Sequence, residues 1–286
     1  MKVLLLGGTG EARRLADLLV ADGIEVVSSL AGRTTNALLP AGAVRQGGFG
    51  GVEGLIAWLR AELVDVLIDA THPFAATMTQ NAAEAADRTG TPLLVLRRPG
   101  WSEPARDAAA PGGLGLGAKH APGDGPADQA RGVAPDRACG DEVAGPGPGP
   151  GPWHWVDSAA DAARLLPQVG TRVFLTIGRQ GVPAFAHTGL WTLARCVDPP
   201  ETPPDWCTLL LARGPFALES ELDLLREHQI DVLVTKDSGG DLTSAKLTAA
   251  RQLGVPVIVI RRPPLPLGVQ AVESVDQVVE WLRARR

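Results

Sequence analysis

Several short segments of this chain carry residue types that do chemistry, and each sits where an apolar run gives way to glycine, hydroxyls or charge. Gly7-Gly8-Thr9-Gly10-Glu11 follows a first strand and opens a helix. Glycines there let a backbone approach a pyrophosphate, while the helix start offers amide donors and a partial positive charge. Arg13 stands where the third glycine of the G-x-G-x-x-G pattern falls, so a tight strand–helix turn with no ligand is the alternative. At the end of the second strand, NAD-preferring folds place an acid for the ribose hydroxyls. This chain has Ser28-Ser29-Leu30-Ala31-Gly32-Arg33-Thr34. Two hydroxyls and an arginine without an acid suit the 2′-phosphate of NADP, the alternative being that Arg33 is a solvated loop charge. On the first reading, Arg33→Ala weakens NADPH binding about tenfold to a hundredfold, the worth of one charge-assisted contact. NADH binding, titrated in parallel, changes far less; equal losses remove Arg33 from the site.

Asp69-Ala70-Thr71-His72-Pro73-Phe74 ends the third predicted strand. His72 could bind a carboxylate or donate a proton, and Phe74 could stack on a flat ring. Alternatively, Asp69 and Thr71 cap the following helix and His72 fills space. In the second half, Thr176-Ile177-Gly178-Arg179-Gln180-Gly181 takes the place of the first glycine turn. Arg213-Gly214-Pro215-Phe216 and Lys236-Asp237-Ser238-Gly239-Gly240 stand at later strand ends. Arg179, Arg213 and Lys236 thus fall on one sheet edge, as an anion-binding set would. Ser238 and Gly239 present backbone amides at a helix start, a second anion seat. Of Arg97-Arg98 and Arg261-Arg262, half or more are expected to be structural or solubilising.

The elements that must position these turns are written twice. Residues 65–99 and 231–263 both begin Asp-Val-Leu, run through a polar turn and an Ala-rich helix, and end in a β-branched strand and Arg-Arg-Pro. Short continuous apolar strands alternating with helices predict parallel sheets covered on both faces. The expected fold is therefore α/β: two Rossmann-like doubly wound domains whose parallel sheets face a central cleft. Residues 1–103 form the first, nucleotide-binding domain in this reading, and 153–263 the second, substrate-binding one. Between them, 104–152 hold 12 Gly and 9 Pro, including the Gly-Pro run 145–152, and read as a flexible insertion. Residues 264–286 form a loop and helix that could pack back on the first domain. Val156-Asp157-Ser158 and Val272-Glu273-Ser274 are similar phrases, each preceding an amphipathic helix.

Composition narrows the class. The chain has 286 residues, 45% of them apolar, and a net charge of −5, which argues against nucleic acid as the main partner. No apolar run is long enough for a membrane span. The first strand begins almost at Met1, so a cleaved leader is not expected, and three cysteines without ligand spacing fit a reduced cytoplasm. No metal-ligand spacing, Ser-His-Asp order or Walker loop occurs, which speaks against metal-assisted and hydrolytic chemistry.

Taken in order, the turns at Gly7–Glu11, Asp69–Phe74, Thr176–Gly181, Arg213–Phe216 and Thr235–Gly239, with Lys246, make the chain resemble the precorrin-6A reductases of corrin-ring synthesis. The 104–152 tract is longer than the connection expected in that family. The resemblance implies NADPH-dependent reduction of one C=C bond (C18=C19) in a tetrapyrrole with eight carboxylates, metal-free or cobalt-bound. With it, Gly7, Gly8, Thr9, Gly10 and Glu11 fall at the coenzyme, joined by Ser28, Arg33 and Thr34 from the reading of the second strand end. Thr71, Phe74, Arg179, Gln180, Arg213, Ser238, Gly239 and Lys246 fall at the polycarboxylate substrate. His72 and Lys236 are the candidates for positioning or proton delivery, and the protein is expected to be a monomer or weak homodimer. Rival readings are a reductase of another polycarboxylate, a two-domain anion-binding protein, and a glycosyltransferase using a sugar nucleotide.

Overall fold

The computed structural model describes residues 1–32, 38–102, 151–240 and 243–285. Most of the 104–152 tract, with His120 and Cys139, and also Arg33 and Thr34 lie outside the described residues.

In chain order the first half runs β1 (Lys2–Leu6), α1 (Gly10–Ala21), β2 (Glu25–Leu30), β3 (Ala43–Gln46), α2 (Gly51–Ala61), β4 (Val66–Asp69), α3 (Ala76–Thr89) and β5 (Leu93–Leu96). The second half runs β6 (Trp153–Val156), α4 (Ala159–Leu165), β7 (Arg172–Thr176), β8 (Trp191–Cys196), β9 (Thr208–Leu211), α5 (Leu218–Glu227), β10 (Val232–Lys236), α6 (Ala245–Gln252), β11 (Val257–Ile260), β12 (Ala271–Val272) and α7 (Val275–Arg283). Two six-stranded sheets form, ordered β12-β5-β4-β1-β2-β3 and β6-β11-β10-β7-β8-β9, and every pairing is parallel. The α/β class with two doubly wound sheets is therefore present as the sequence predicts.

The central strands are buried along nearly their whole length, and their side chains alternate between two cores. Val3 and Leu5 belong to the core under α1 and α7, whereas Leu4 and Leu6 belong to the core under α2 and α3. The second sheet does the same: Val232 and Val234 face one core, Leu233 the other. With helices on both faces, a strand has no wet side and reads as an unbroken apolar run.

Strand order reverses between β1 and β4 in one sheet and between β7 and β10 in the other. Ligands in open α/β sheets lie beyond the carboxyl ends of strands at such a reversal. Register brings the ends together, with Leu6 beside both Ser29 and Asp69, and Thr176 beside Thr235. The four central turns named from sequence thus flank the two reversal points.

The halves also exchange their last units. By the internal repeat β6 follows β5 as β12 follows β11, yet β6 pairs with β11 in the second sheet and β12 with β5 in the first. Ser274 starts α7 with a capping box closed by Gln277, and Val275, Val278 and Leu282 complete the first core. Three strands escaped the sequence reading: β3, β6 and β12. The first is an edge strand with two polar residues (Arg45, Gln46), and the last is two residues long.

Candidate active site at the cleft between the lobes

A cavity of about 720 Å³ opens where the first glycine turn meets the second lobe. Gly7, Gly8, Thr9, Ser28 and Gly32 line one side, and Arg213, Gly214 and Pro215 the other. Gly8 has φ +113°, a conformation side chains rarely tolerate, and open space lies where a Cβ would point. The backbone can therefore come close to a ligand there. Thr9 caps α1: its hydroxyl accepts from the Ala12 amide at 3.1 Å and donates to the Ala70 carbonyl at 2.9 Å. That leaves the turn's backbone, not this hydroxyl, to meet a ligand. Ser28 is 1% exposed, and its hydroxyl is the only buried side-chain polar atom without a partner among the described residues. An orphaned hydroxyl costs free energy unless something arrives to bond it. Arg13, legible only as a break in the glycine pattern, also lines the cavity and adds a cation.

Glu11 is not directed to a ligand. Arg98 Nη1 donates to both of its carboxylate oxygens at 2.8 Å. Partial burial opposes its ionisation, but a bond from its own backbone amide and the Arg98 guanidinium outweigh that and hold its pKa below the ordinary value.

In the turn after β4, Asp69 is 1% exposed and accepts from the Thr71 amide (3.0 Å), the Thr71 hydroxyl (2.7 Å) and the Thr79 hydroxyl (2.6 Å). Thr71, expected at the substrate, therefore spends its hydroxyl proton on Asp69. His72 Nδ1 accepts from the Phe74 amide at 3.3 Å, which leaves the proton on Nε2, facing outward. Surrounding protein first, then the cations Arg98, Lys236 and Arg262, push its pKa down to about 4. The residue's surface is nevertheless exposed, so the drop marks a ring crowded by neighbouring protein and cations rather than one sealed inside. A neutral imidazole at pH 7 is a hydrogen-bond donor, not a proton donor. Phe74, expected to stack on substrate, instead packs against the second lobe's core with the Lys236 amine 5.1 Å from its ring centre.

On the second lobe, Arg179, Arg213 and Lys236 stand just beyond or at the carboxyl ends of β7, β9 and β10. Arg213 lines the cavity; Arg179 donates to the Pro199 carbonyl at 3.3 Å, with Gln180 exposed beside it. Burial lowers the Lys236 pKa. The turn at Ser238 and Gly239 is not an open anion seat, because Arg98, Pro99 and Arg262 fill its concave side.

Lys246, expected at the substrate, lies 5% exposed beneath Trp101, its amine 5.0 Å from the ring centre. Burial, then nearby Arg195, push that amine down from 10.5 to about 7. Between those values the unfolded chain binds a proton that the folded chain does not, so this lysine makes stability rise with pH. Wild-type protein should accordingly gain stability relative to Lys246→Met as pH climbs from 7 to 10.5, as urea midpoints would show. A constant difference would mean that the amine is charged in the fold. Beside it lies a pair that sequence reading missed: Arg195 and Glu221, 8% and 2% exposed, joined end-on through both Nη nitrogens. The Arg195 guanidinium also lies 3.7 Å from the centre of the Phe216 ring, supporting the loop that carries Arg213.

No group of His, Cys, Asp or Glu among the described residues is arranged to hold a metal, and no described helix is long and apolar enough to cross a membrane. Two doubly wound lobes, a glycine turn beside an orphaned hydroxyl and cations across the cleft define a two-lobed α/β protein with a ligand-sized cavity between its strand ends. Comparison narrows the class: the precorrin-6x reductase (CbiJ/CobK) profile matches residues 2–111 and 142–283, and the chain belongs to that family. The precorrin-6A reductase of Rhodococcus erythropolis is 50% identical, covering 98% of this chain and 97% of its own. That of Mycobacterium tuberculosis is 43% identical with the same coverage. A solved structure of CobK precorrin-6A reductase superposes with a TM-score of 0.79 at 36% identity, covering 99% of this chain and 96% of that one.

Proposed function

We propose that this protein reduces precorrin-6A to precorrin-6B with NADPH, adding a hydride and a proton across the C18=C19 bond. The observation that carries the reading is the cleft cavity, which joins Gly7, Gly8 and Ser28 of one lobe to Arg213 of the other. Both relatives named above bear the metal-free substrate in their names, which favours the metal-free macrocycle.

The residues fit the coenzyme. Gly7, Gly8 and Gly10 would bring the backbone against its pyrophosphate at the start of α1, with Arg13 as counter-charge. Ser28 would give its unpartnered hydroxyl to the ribose side, where Arg33 and Thr34 would take the 2′-phosphate. When bound, NADPH supplies the hydride.

The remaining work belongs to the chain. Arg213, Arg179 and Gln180 hold substrate carboxylates, and the outward Nε2–H of His72 donates to another. Lys236 is the proton source: burial disfavours its charge, which makes its ammonium a stronger acid than that of an exposed lysine. Closing both ligands between the lobes excludes water and sets the reacting faces together. A freely soluble coenzyme and substrate put the reaction in the cytoplasm, carried by a monomer or weak homodimer.

Thermal melting with added nucleotides tests the coenzyme assignment, since a ligand of the folded state raises the midpoint by mass action. NADPH should stabilise the protein at concentrations where NADH and UDP-sugars do not. Stabilisation by a UDP-sugar alone would move the protein to the glycosyltransferases.

A further inference from the structure

Both links between the lobes close on a single turn. Arg98 follows β5 and Arg262 follows β11, equivalent places in the internal repeat, yet both guanidinium groups grasp residues 237–240. Arg98 Nε donates to the Ser238 carbonyl at 2.7 Å. Arg262 Nε donates to the Asp237 carbonyl at 3.1 Å and lies 2.9 Å from its carboxylate. Arg262 Nη1 also donates to the carbonyl of Arg98 itself, at 2.7 Å. The far end of Arg98 holds both oxygens of Glu11 in the first turn of α1. One side chain therefore touches the glycine turn of the first lobe and the Lys236–Gly240 turn of the second.

The fit leaves no slack. A Cβ on Gly239 would stand 2.1 Å from the Pro99 carbonyl oxygen and 2.7 Å from Arg262 Nη2. One on Gly240 would stand 3.1 Å from Arg98 Cδ, and one on Gly100 2.8 Å from the Asp237 carboxylate. Glycine at all three places lets the connection press into the turn. Arginine suits the hub because its planar fork serves two acceptors in fixed directions, which a lysine ammonium cannot do with the same geometry. The Arg98 side chain is 17% exposed, well shielded for an ion pair.

We propose that Arg98 is a positioning residue for the reduction: through Glu11 and the Ser238 carbonyl it fixes the separation of the two turns across which hydride and proton are delivered. The inference rests on the function proposed above. Hydride transfer is steep in distance, and an ångström of misplacement costs about a hundredfold in rate.

The test uses Arg98→Lys and Glu11→Gln, each conserving size and most packing. Expected for each is a fall in kcat of about tenfold to a hundredfold, with NADPH affinity, from fluorescence titration without substrate, largely kept. The deuterium isotope effect with NADPH labelled at nicotinamide C4 should rise, because hydride transfer becomes the slow step. The double variant should lose no more than the worse single one, since both break one link. Wild-type kcat and isotope effect in Arg98→Lys would overturn the proposal. So would a loss of kcat that follows thermal stability alone, with the isotope effect unchanged. Should Arg98→Lys not fold, Glu11→Gln carries the same expectation. Wild-type protein that binds NADPH but leaves precorrin-6A untouched would sink the function instead. The link itself would then be read from non-additive melting shifts of the unliganded variants, and additive shifts would reject it.

Discussion

Glu221→Ala is expected to cost about 3–5 kcal/mol of folding stability, the penalty for leaving a buried charge without its partner. Arg195 is 8% exposed and has Glu221 as its end-on acceptor, with its guanidinium over the Phe174 and Phe216 rings. Truncation strands the guanidinium among aromatic rings, where water cannot replace both carboxylate oxygens. Thermal melting should show a midpoint lowered by roughly 10 °C. Activity should fall as well, because Arg195 supports Phe216 and through it the Arg213 loop. Replacing both partners, as in Arg195→Met with Glu221→Leu, should restore most of the stability, since an apolar pair has no charge to desolvate. It should not restore the loop. If the single variant melts like wild type, the pair is solvated and the description of this core is wrong.

Lys236→Met is expected to lower kcat by about a hundredfold to ten-thousandfold, the usual worth of a general acid. NADPH binding should change little, because the residue lies outside the cavity lined by the glycine turn. Lys236→Arg keeps the charge over Phe74 but holds its proton too tightly to donate it, so it should be nearly as impaired. The sign of the pH dependence follows from the burial that lowers the lysine's pKa. A general acid works only when protonated, so wild-type kcat should fall as pH rises through that pKa, and the fall should be absent in Lys236→Met. His72→Ala, by contrast, should mainly raise KM, since a ring with pKa about 4 has no proton to give at neutral pH. A variant at Lys236 with full kcat would pass the proton role to solvent or to a substrate carboxylic acid.

Much of this architecture was legible because the two signals that reveal it are local. Continuous apolar runs such as Val3–Leu6 and Val257–Ile260 announce strands buried on both faces, and the repeated Asp-Val-Leu phrase announces two lobes. The freedom of Gly8 could be read from sequence because a strand-to-helix turn at that point demands a conformation side chains rarely adopt. What stayed hidden depends on distant partners. Glu11 belongs to Arg98, 87 residues away, and Arg98 to Ser238, 140 residues away. Nothing in the local pattern says that these charges and the Ser238 turn hold the lobes together instead of meeting a ligand. Phe74 and Lys246 show the same limit: near reactive turns they read as ligand contacts, and their packing on the opposite lobe's core and beneath Trp101 has no local signature. The pairing of β6 with β11 and of β12 with β5 was also out of reach, since two or four residues of strand carry too little periodicity to show which sheet they join.

The central claim is that the two lobes bring a reduced nicotinamide and a polycarboxylated macrocycle face to face. Anaerobic turnover of purified precorrin-6A with NADPH deuterated at nicotinamide C4, followed by mass spectrometry, tests it most directly. One equivalent of coenzyme should be oxidised per macrocycle, and the product should carry one deuterium from the labelled face plus one proton from solvent. Coenzyme oxidation without label in the macrocycle, or no turnover with either precorrin-6A or its cobalt form, would contradict it.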